Sequence, residues 1–233
     1  MAKKKEEKFE TAEIIENVEN ITSKIETFIY NNAKLLGGGF SVFLFVAICY
    51  FAYIKFYVNP NEEAVFEKSY TADNYFEKDS VNKAYDGKGY LGYKQLVERY
   101  GNTPGGKIAS FKAGLALYEM EQYNEAINYF MGFSSDDELF NALSIGAIGD
   151  CHMQLEDVEN AVKYYKKAIE VSKFEVTTEY FYRKLIISHL NTKEYDLAYS
   201  QLQKLFTRVP TAENKPEFQK LKYMIKFHLD GNA

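Results

Sequence analysis

Hydrophobic and polar residues follow three different patterns along this 233-residue chain. The first is a heptad. Ile14, Val18, Ile21, Ile25 and Phe28 step by four, three, four and three, while Glu13, Glu16, Glu19 and Glu26 fall elsewhere. That spacing predicts an α-helix with an apolar seam along one side. Acids on the polar side suit an anionic lipid surface poorly, so the seam reads as an interface for a partner helix. The bland alternative is a solvated helix that extends the segment after it.

The second pattern is unbroken apolarity. LLGGGFSVFLFVAICYFAYI, Leu35 to Ile54, carries no charge over 20 residues. As a helix it measures about 30 Å, the thickness of the hydrocarbon core of a bilayer. Lys34 and Lys55 bracket it, and Tyr50, Tyr53 and Tyr57 gather at its end as an interfacial belt. A cleaved signal peptide fits badly, because no small-x-small site closes the segment. A single-pass anchor in membrane lipid is expected. Lys3, Lys4, Lys5, Lys8, Lys24 and Lys34 precede it and only Lys55 follows closely. That bias predicts a cytoplasmic N-terminus and a large C-terminal part on the outer side of the membrane.

The third pattern repeats. GLALYEMEQYNEAINYFMGF from Gly114, GDCHMQLEDVENAVKYYKKA from Gly149 and IISHLNTKEYDLAYSQLQKL from Ile186 each place an alanine twelve residues on, at Ala126, Ala161 and Ala198. A bulky residue follows four later (Phe130, Tyr165, Leu202), and the alanines are 35 and 37 residues apart. Such a period predicts stacked antiparallel helix pairs, in which small residues let two helices nestle and the aromatics fill the gap toward the next pair. Ile186 breaks the small-residue rule and predicts a more open third pair. Ser134-Ser135-Asp136 and Thr177-Thr178-Glu179 are candidate caps, and Pro216 opens a last amphipathic helix that caps the stack. Between anchor and repeats, NEEAVFEKSYTADNYFEKDS and YLGYKQLVERY read as two helices of a divergent first pair.

These elements give an all-α chain: a single transmembrane helix followed by an α-solenoid of three repeats. The expected boundaries are 1–33 for the N-terminal helix, 34–58 for the anchor, 59–106 for the entry region and 107–233 for the repeats with their cap. Composition agrees. Hydrophobic residues are 46%, charged ones 26%, and only 4 prolines occur. The net charge is −5, and no block of Lys and Arg interleaved with aromatics stands out, so nucleic acid is not an expected partner.

Asp150-Cys151-His152 is the one stretch that invites a catalytic reading. Adjacent helical residues point about 100° apart, so the thiol and imidazole do not converge. His152 and His189 share a position in the repeat, three after Gly149 and Ile186, and read as packing rings. A zinc site needs three or four ligands, whereas the chain has 3 His and 2 Cys, scattered. No catalytic residue, metal or cofactor is expected. The residues that register places on the concave face are Phe111, Leu115 and Tyr118, then Asp150 and Met153, then Tyr180, Arg183, Ile187 and Leu190. Each could serve intramolecular packing instead. As a set they suit an extended peptide or a partner's helix.

The repeat pattern resembles the tetratricopeptide repeat, with small residues at positions 8 and 20, a large one at 24 and Pro210 at position 32 of the third copy. The whole order of elements, with SDDELFNALSIGAIGDCHMQLEDVENAVKYYKKAI and NYFEKDSVNKAYDGKGYLGYKQLVERYGNTPGGKIA, resembles the YfgM family over roughly residues 10–230. The long heptad helix is an elaboration on that family. The resemblance implies an ancillary, non-catalytic subunit of the SecYEG translocon that pairs with the PpiD chaperone and meets nascent secreted polypeptides. The alternative is a membrane-anchored scaffold of another envelope assembly.

Overall fold

The computed structural model describes residues 22–135 and 137–231, so the seam residues Ile14, Val18 and Ile21 lie outside the described residues. Two compact units divide at Val58. In the first, residues 22–31 form helix α1, Ala33–Tyr53 form α2, and Ile54–Val58 form a π-helical turn. The apolar stretch Ala33–Val58 is long enough to cross a membrane, and the α2 side chains, Ala33–Tyr53, are not buried by protein. Two polar side chains at and before it bond back to their own helix. Ser41 Oγ donates to the Gly37 carbonyl at 2.8 Å and Asn32 Nδ2 to that of Phe28 at 2.8 Å. Such back-bonding keeps these polar groups from entering an apolar medium unpaired.

The second unit is a solenoid of packed helices, with no strand among the described residues. Its elements are α3 (Asn59–Glu77), α4 (Val81–Asp86), α5 (Tyr93–Tyr100), α6 (Pro104–Glu119), α7 (Tyr123–Gly132), α8 (Glu138–Gln154), α9 (Val158–Val171), α10 (Glu175–Asn191), α11 (Tyr195–Arg208) and α12 (Pro216–Leu229).

One turn geometry recurs four times. Asp79, Glu121, Glu156 and Lys193 adopt positive φ of 54–60°. The next amide in each case reaches back five residues: Ser80 N to Tyr75 O, Gln122 N to Leu117 O, Asp157 N to His152 O and Glu194 N to His189 O, at 2.8–2.9 Å. This closure ends a helix and fixes the angle at which the next one leaves. Five residues after each positive-φ residue stands a fully buried alanine: Ala84, Ala126, Ala161 and Ala198. Seven residues before stand Ala72, Gly114, Gly149 and Ile186, all buried. The first pair therefore keeps the same register as the others. Its second helix breaks in two, because Gly87 turns at φ +67° and Gly92 sits where a Cβ would meet the Tyr85 carbonyl at 2.3 Å. Gln95 pins that loop, accepting from Gly92 N at 2.9 Å and donating to Asp86 O at 2.6 Å.

Three sequence expectations need correction. α8 is capped by Asp137, which accepts from Leu139 N and Phe140 N, rather than by the serines before it. Thr177-Thr178-Glu179 lie inside α10, which starts at Glu175, and Thr178 Oγ1 instead donates to Ser172 Oγ at 3.0 Å. The aromatics after the alanines turn inward on their own pair. The Phe130 ring covers Gly114 and the Tyr165 ring covers Gly149, each within 2.8 Å of where a Cβ would stand. Glycine is required there because the ring of the facing helix occupies the Cβ site.

The apolar core falls into two clusters that meet at α8. Ile148 and Cys151 join the cluster built on α3–α7, and Ala142 joins the one built on α9–α12. Polar bonds tie successive pairs together, with Ser144 Oγ donating to Phe130 O at 3.0 Å and Arg208 Nη2 to Ser172 O at 2.7 Å.

Candidate functional site

The first helix of each pair places its ninth-position residue beside the sixth-position residue of the next pair, and this juxtaposition shapes the candidate face. Asp73 accepts from Lys112 Nζ at 2.8 Å and from the Tyr93 hydroxyl at 2.8 Å. Asp150 repeats the arrangement with Lys184 Nζ and the Tyr165 hydroxyl, both at 2.7 Å. At the rung between them the equivalent residues are Leu115 and Ala147, both apolar. The face thus runs polar, apolar, polar.

Two cavities open on it. One, of about 310 Å³, is lined by Phe111, Leu115, Phe76, Ile108 and Phe140, with Asp73 and Lys112 at its edge. Phe111 holds its wall through ring contacts to Phe130, Phe133 and Phe140 at 5.4–6.0 Å. The other, of about 270 Å³, is lined by Tyr118, Asp150, Met153, Gln154, Lys184 and Ile187. Gln154 Nε2 donates to the Tyr118 hydroxyl at 3.1 Å and so braces α8 against α6.

Of the residues expected on this face, Phe111 and Leu115 share the first cavity, and Tyr118, Asp150, Met153 and Ile187 share the second. Tyr180, Arg183 and Leu190 line neither. Tyr180 carries Arg183 and Lys184 over its ring at 5.7 and 4.8 Å. Leu190 packs on the C-terminal core. The Asp150 carboxylate is occupied by Tyr165 and Lys184, which makes it an organising charge inside the face. Sequence reasoning missed Asp73, Lys112 and Lys184. The signal was available, since each acid directly follows a small helix-packing residue (Ala72, Gly149) and each lysine stands two before the equivalent position of the next pair (Gly114, Ile186). Ile25 and Phe28, of the N-terminal seam, are exposed on α1.

Behind the face, the thiol and imidazoles of α8 and α10 are held by packing and local hydrogen bonds. Burial pushes the Cys151 thiol up to about 12, and the Asp150 charge adds to it. A thiol held so far from its thiolate form is a packing group. His152 lies half-buried, stacked on Tyr164, and its Nδ1 sits 3.1 Å from the Asp157 carboxylate. His189 Nδ1 stands 2.8 Å from Glu194 in the equivalent turn. Both imidazoles brace turns and neither meets a thiol. Hydrogen bonds from Asn160, with His152 beside it, hold the Asp157 carboxyl below its usual range. Among the described residues, no group of three or more His, Cys, Asp or Glu could hold a metal ion.

Cys151→Ala is expected to leave partner binding unchanged and to cost about 1 kcal/mol of stability, because the equivalent residue of α6 is already Ala116, also fully buried. Loss of binding in a pull-down of a still-folded Cys151→Ala protein would contradict this.

The tetratricopeptide-repeat family matches residues 143–174, which span α8 and α9. No curated protein matches the chain. A solved structure, the crystal structure of the apo form of RapI, aligns with 18% identity over 80% of this chain and 72% of its own, at a TM-score of 0.48. The fold is a solenoid of tetratricopeptide type, with one long apolar helix ahead of it.

Proposed function

We propose that the chain is a non-catalytic, membrane-anchored scaffold whose solenoid docks partner proteins along the face bearing the two cavities. The observation that carries this reading is one face that bears two cavities, the first largely apolar, with the Asp73–Lys112 and Asp150–Lys184 charges beside them paired with each other. Such a face offers burial to a partner's apolar side chains over the first cavity, where Glu77 also lines the wall, and hydrogen-bonding groups over the second. The repeats would be three full helix pairs, 107–211, preceded by a truncated pair and followed by the α12 cap.

The finer assignment is an accessory subunit of the SecYEG translocon in the inner membrane, N-terminus in the cytoplasm and solenoid in the periplasm. There it would bind a PpiD-like chaperone, emerging secreted chains, or both. The lysine bias around the span and the order of elements shared with the YfgM family support it. The alternative is a scaffold for outer-membrane assembly or a secretion machine.

Affinity purification of the full-length protein from membranes in mild detergent, followed by mass spectrometry, decides between them. Channel subunits and a membrane-anchored chaperone are expected in the eluate. Their absence, with another envelope complex present, rejects the translocon assignment in favour of the alternative.

A further inference from the structure

The first cavity does not end at Asp73. Phe66, Tyr70, Asp73 and Glu77 step by four, three and four, so they share one side of α3. A further cavity on that side, of about 460 Å³, is lined by Phe66, Glu67, Ser69, Tyr70 and Asp73, and Asp73 lines the first cavity as well. The two sides of α3 differ sharply. Phe66 is 84% exposed and Tyr70 73%, whereas Val65 and Ala72 are buried in the solenoid. The exposed side is the one that runs into the Phe76, Phe111 and Leu115 wall of the first cavity.

Charge along this groove is one-sided. Lys112 is held by both carboxylate oxygens of Asp73 at 2.8 Å. Lys68 donates to the Tyr100 hydroxyl at 2.8 Å, Lys83 lies over the Tyr75 ring, and Lys107 lines a different cavity with Pro104 and Ser135. Lys78 stands past the end of α3. Glu67 and Glu77 line the groove, and neither makes a hydrogen bond or ion pair with another described residue. Glu77 is the last residue of α3 and Glu119 the last of α6, where each helix also presents its negative pole. Beyond them, residues 113–162 hold ten Asp and Glu and no Lys or Arg, a field that draws cations toward this part of the solenoid. The second cavity lacks this character, because its carboxylate, Asp150, is held by Lys184 and Tyr165.

We propose that the groove from Phe66 to Leu115 takes a cationic amphipathic segment of a partner protein. Its apolar side chains fill the two cavities that meet at Asp73, and its Lys or Arg side chains stand against Glu67 and Glu77. The proposal rests on the docking face of the proposed function, adds the sign of the partner's charge, and is independent of the translocon assignment.

The test uses full-length protein in phosphatidylcholine nanodiscs, with empty nanodiscs subtracted. The probe is a fluorescent amphipathic peptide with leucines on one side flanked by lysines, read by anisotropy; a second peptide carries glutamates in place of the lysines. The lysine peptide is expected to bind, and the glutamate peptide to bind about tenfold more weakly or worse. Glu67→Lys combined with Glu77→Lys should reverse that preference. Phe66→Ala combined with Tyr70→Ala should weaken both peptides, and all four side chains are exposed, so the fold should survive. Glu159→Lys is the control, because Glu159 opens α9 and lines neither cavity of the groove, and it should leave binding unchanged. Equal affinity for the two peptides, or an equal loss in Glu159→Lys, overturns the cationic partner. The docking face itself still stands in that case if Phe66→Ala with Tyr70→Ala weakens binding. Binding of neither peptide, or binding indifferent to Phe66 and Tyr70, overturns the groove as a docking site too. Self-association that Phe66→Ala with Tyr70→Ala abolishes would give the groove to a second copy and overturn the proposal.

Discussion

Raising the pH from 9 toward 12 is expected to remove most of the solenoid's stability, with helical circular dichroism lost well before backbone chemistry begins. The sign follows from the direction of the shifts. The Cys151 thiol, ordinarily near 9.0, is pushed up to about 12 by burial and by Asp150. Burial, then the charge and hydrogen bond of Asp150, push the Tyr165 phenol well above its ordinary value. Burial alone would lower Lys184, but the Asp150 charge and hydrogen bond outweigh it and hold the ammonium above 10.5. All three bind a proton more tightly when folded. Their contribution is complete below the pH at which the unfolded groups titrate, and it is lost as pH rises through the folded values. Cys151 alone accounts for about 4 kcal/mol by pH 12. Denaturant midpoints in the presence of detergent, measured at intervals from pH 8 to 11.5, should fall steadily. Cys151→Ala should flatten the early part of that fall, and Asp150→Asn should weaken the later part. Asp150→Asn should also cost about 1.5–3 kcal/mol at neutral pH, because the Lys184 ammonium loses its charged partner. A flat profile to pH 11 would show that these groups reach solvent.

Gly146→Ala is expected to destabilise the protein by about 1–3 kcal/mol, although alanine is the better helix former. A Cβ at residue 146 would lie 1.9 Å from Phe181 Cε1 and 2.3 Å from Cζ. Phe181 is 1% exposed, so its ring can move aside only by displacing other packed groups. Gly114→Ala and Gly149→Ala should cost less, since their nearest ring atoms stand at 2.7 Å. Gly132→Ala is the control, because its Cβ would meet only Ser110 Oγ at 4.0 Å, and it should be neutral or slightly stabilising. Phe181→Leu should relieve part of the Gly146→Ala penalty in the double variant, which a thermodynamic cycle would report as a coupling. Equal midpoints for Gly146→Ala and Gly132→Ala would mean that the ring moves aside at little cost.

The sequence made the helical architecture legible because its strongest signals are periodic. The twelve-residue interval between a small residue and an alanine recurs whenever two helices must touch at the same height. It recurs at Ala72 and Ala84 as well, but there the second helix stops at Asp86, so the bulky residue expected four later is Lys88, in a loop. Without that residue the pair does not stand out. Cap positions were legible only to within a few residues. Asp and Ser cluster before α8, and which of them caps is decided by local side-chain contacts such as Asn141 Nδ2 to Ser135 O. The candidate face was half legible. Register identified Phe111, Leu115, Tyr118, Asp150, Met153 and Ile187, which share the two cavities. It could not show that Asp150 is neutralised from both sides, since Tyr165 and Lys184 stand 15 and 34 residues away and belong to other helices. Gly146 escaped notice for a similar reason, because the ring that claims its Cβ site comes from the next pair.

The meeting of two apolar clusters at α8 has a consequence for how this molecule tolerates damage. A lesion in α3 or α12 is felt by one neighbouring wall, whereas a lesion in α8 strips the shared partition and opens both rooms at once. A break in the chain between Glu138 and Gln154 would therefore leave neither half with a finished interior.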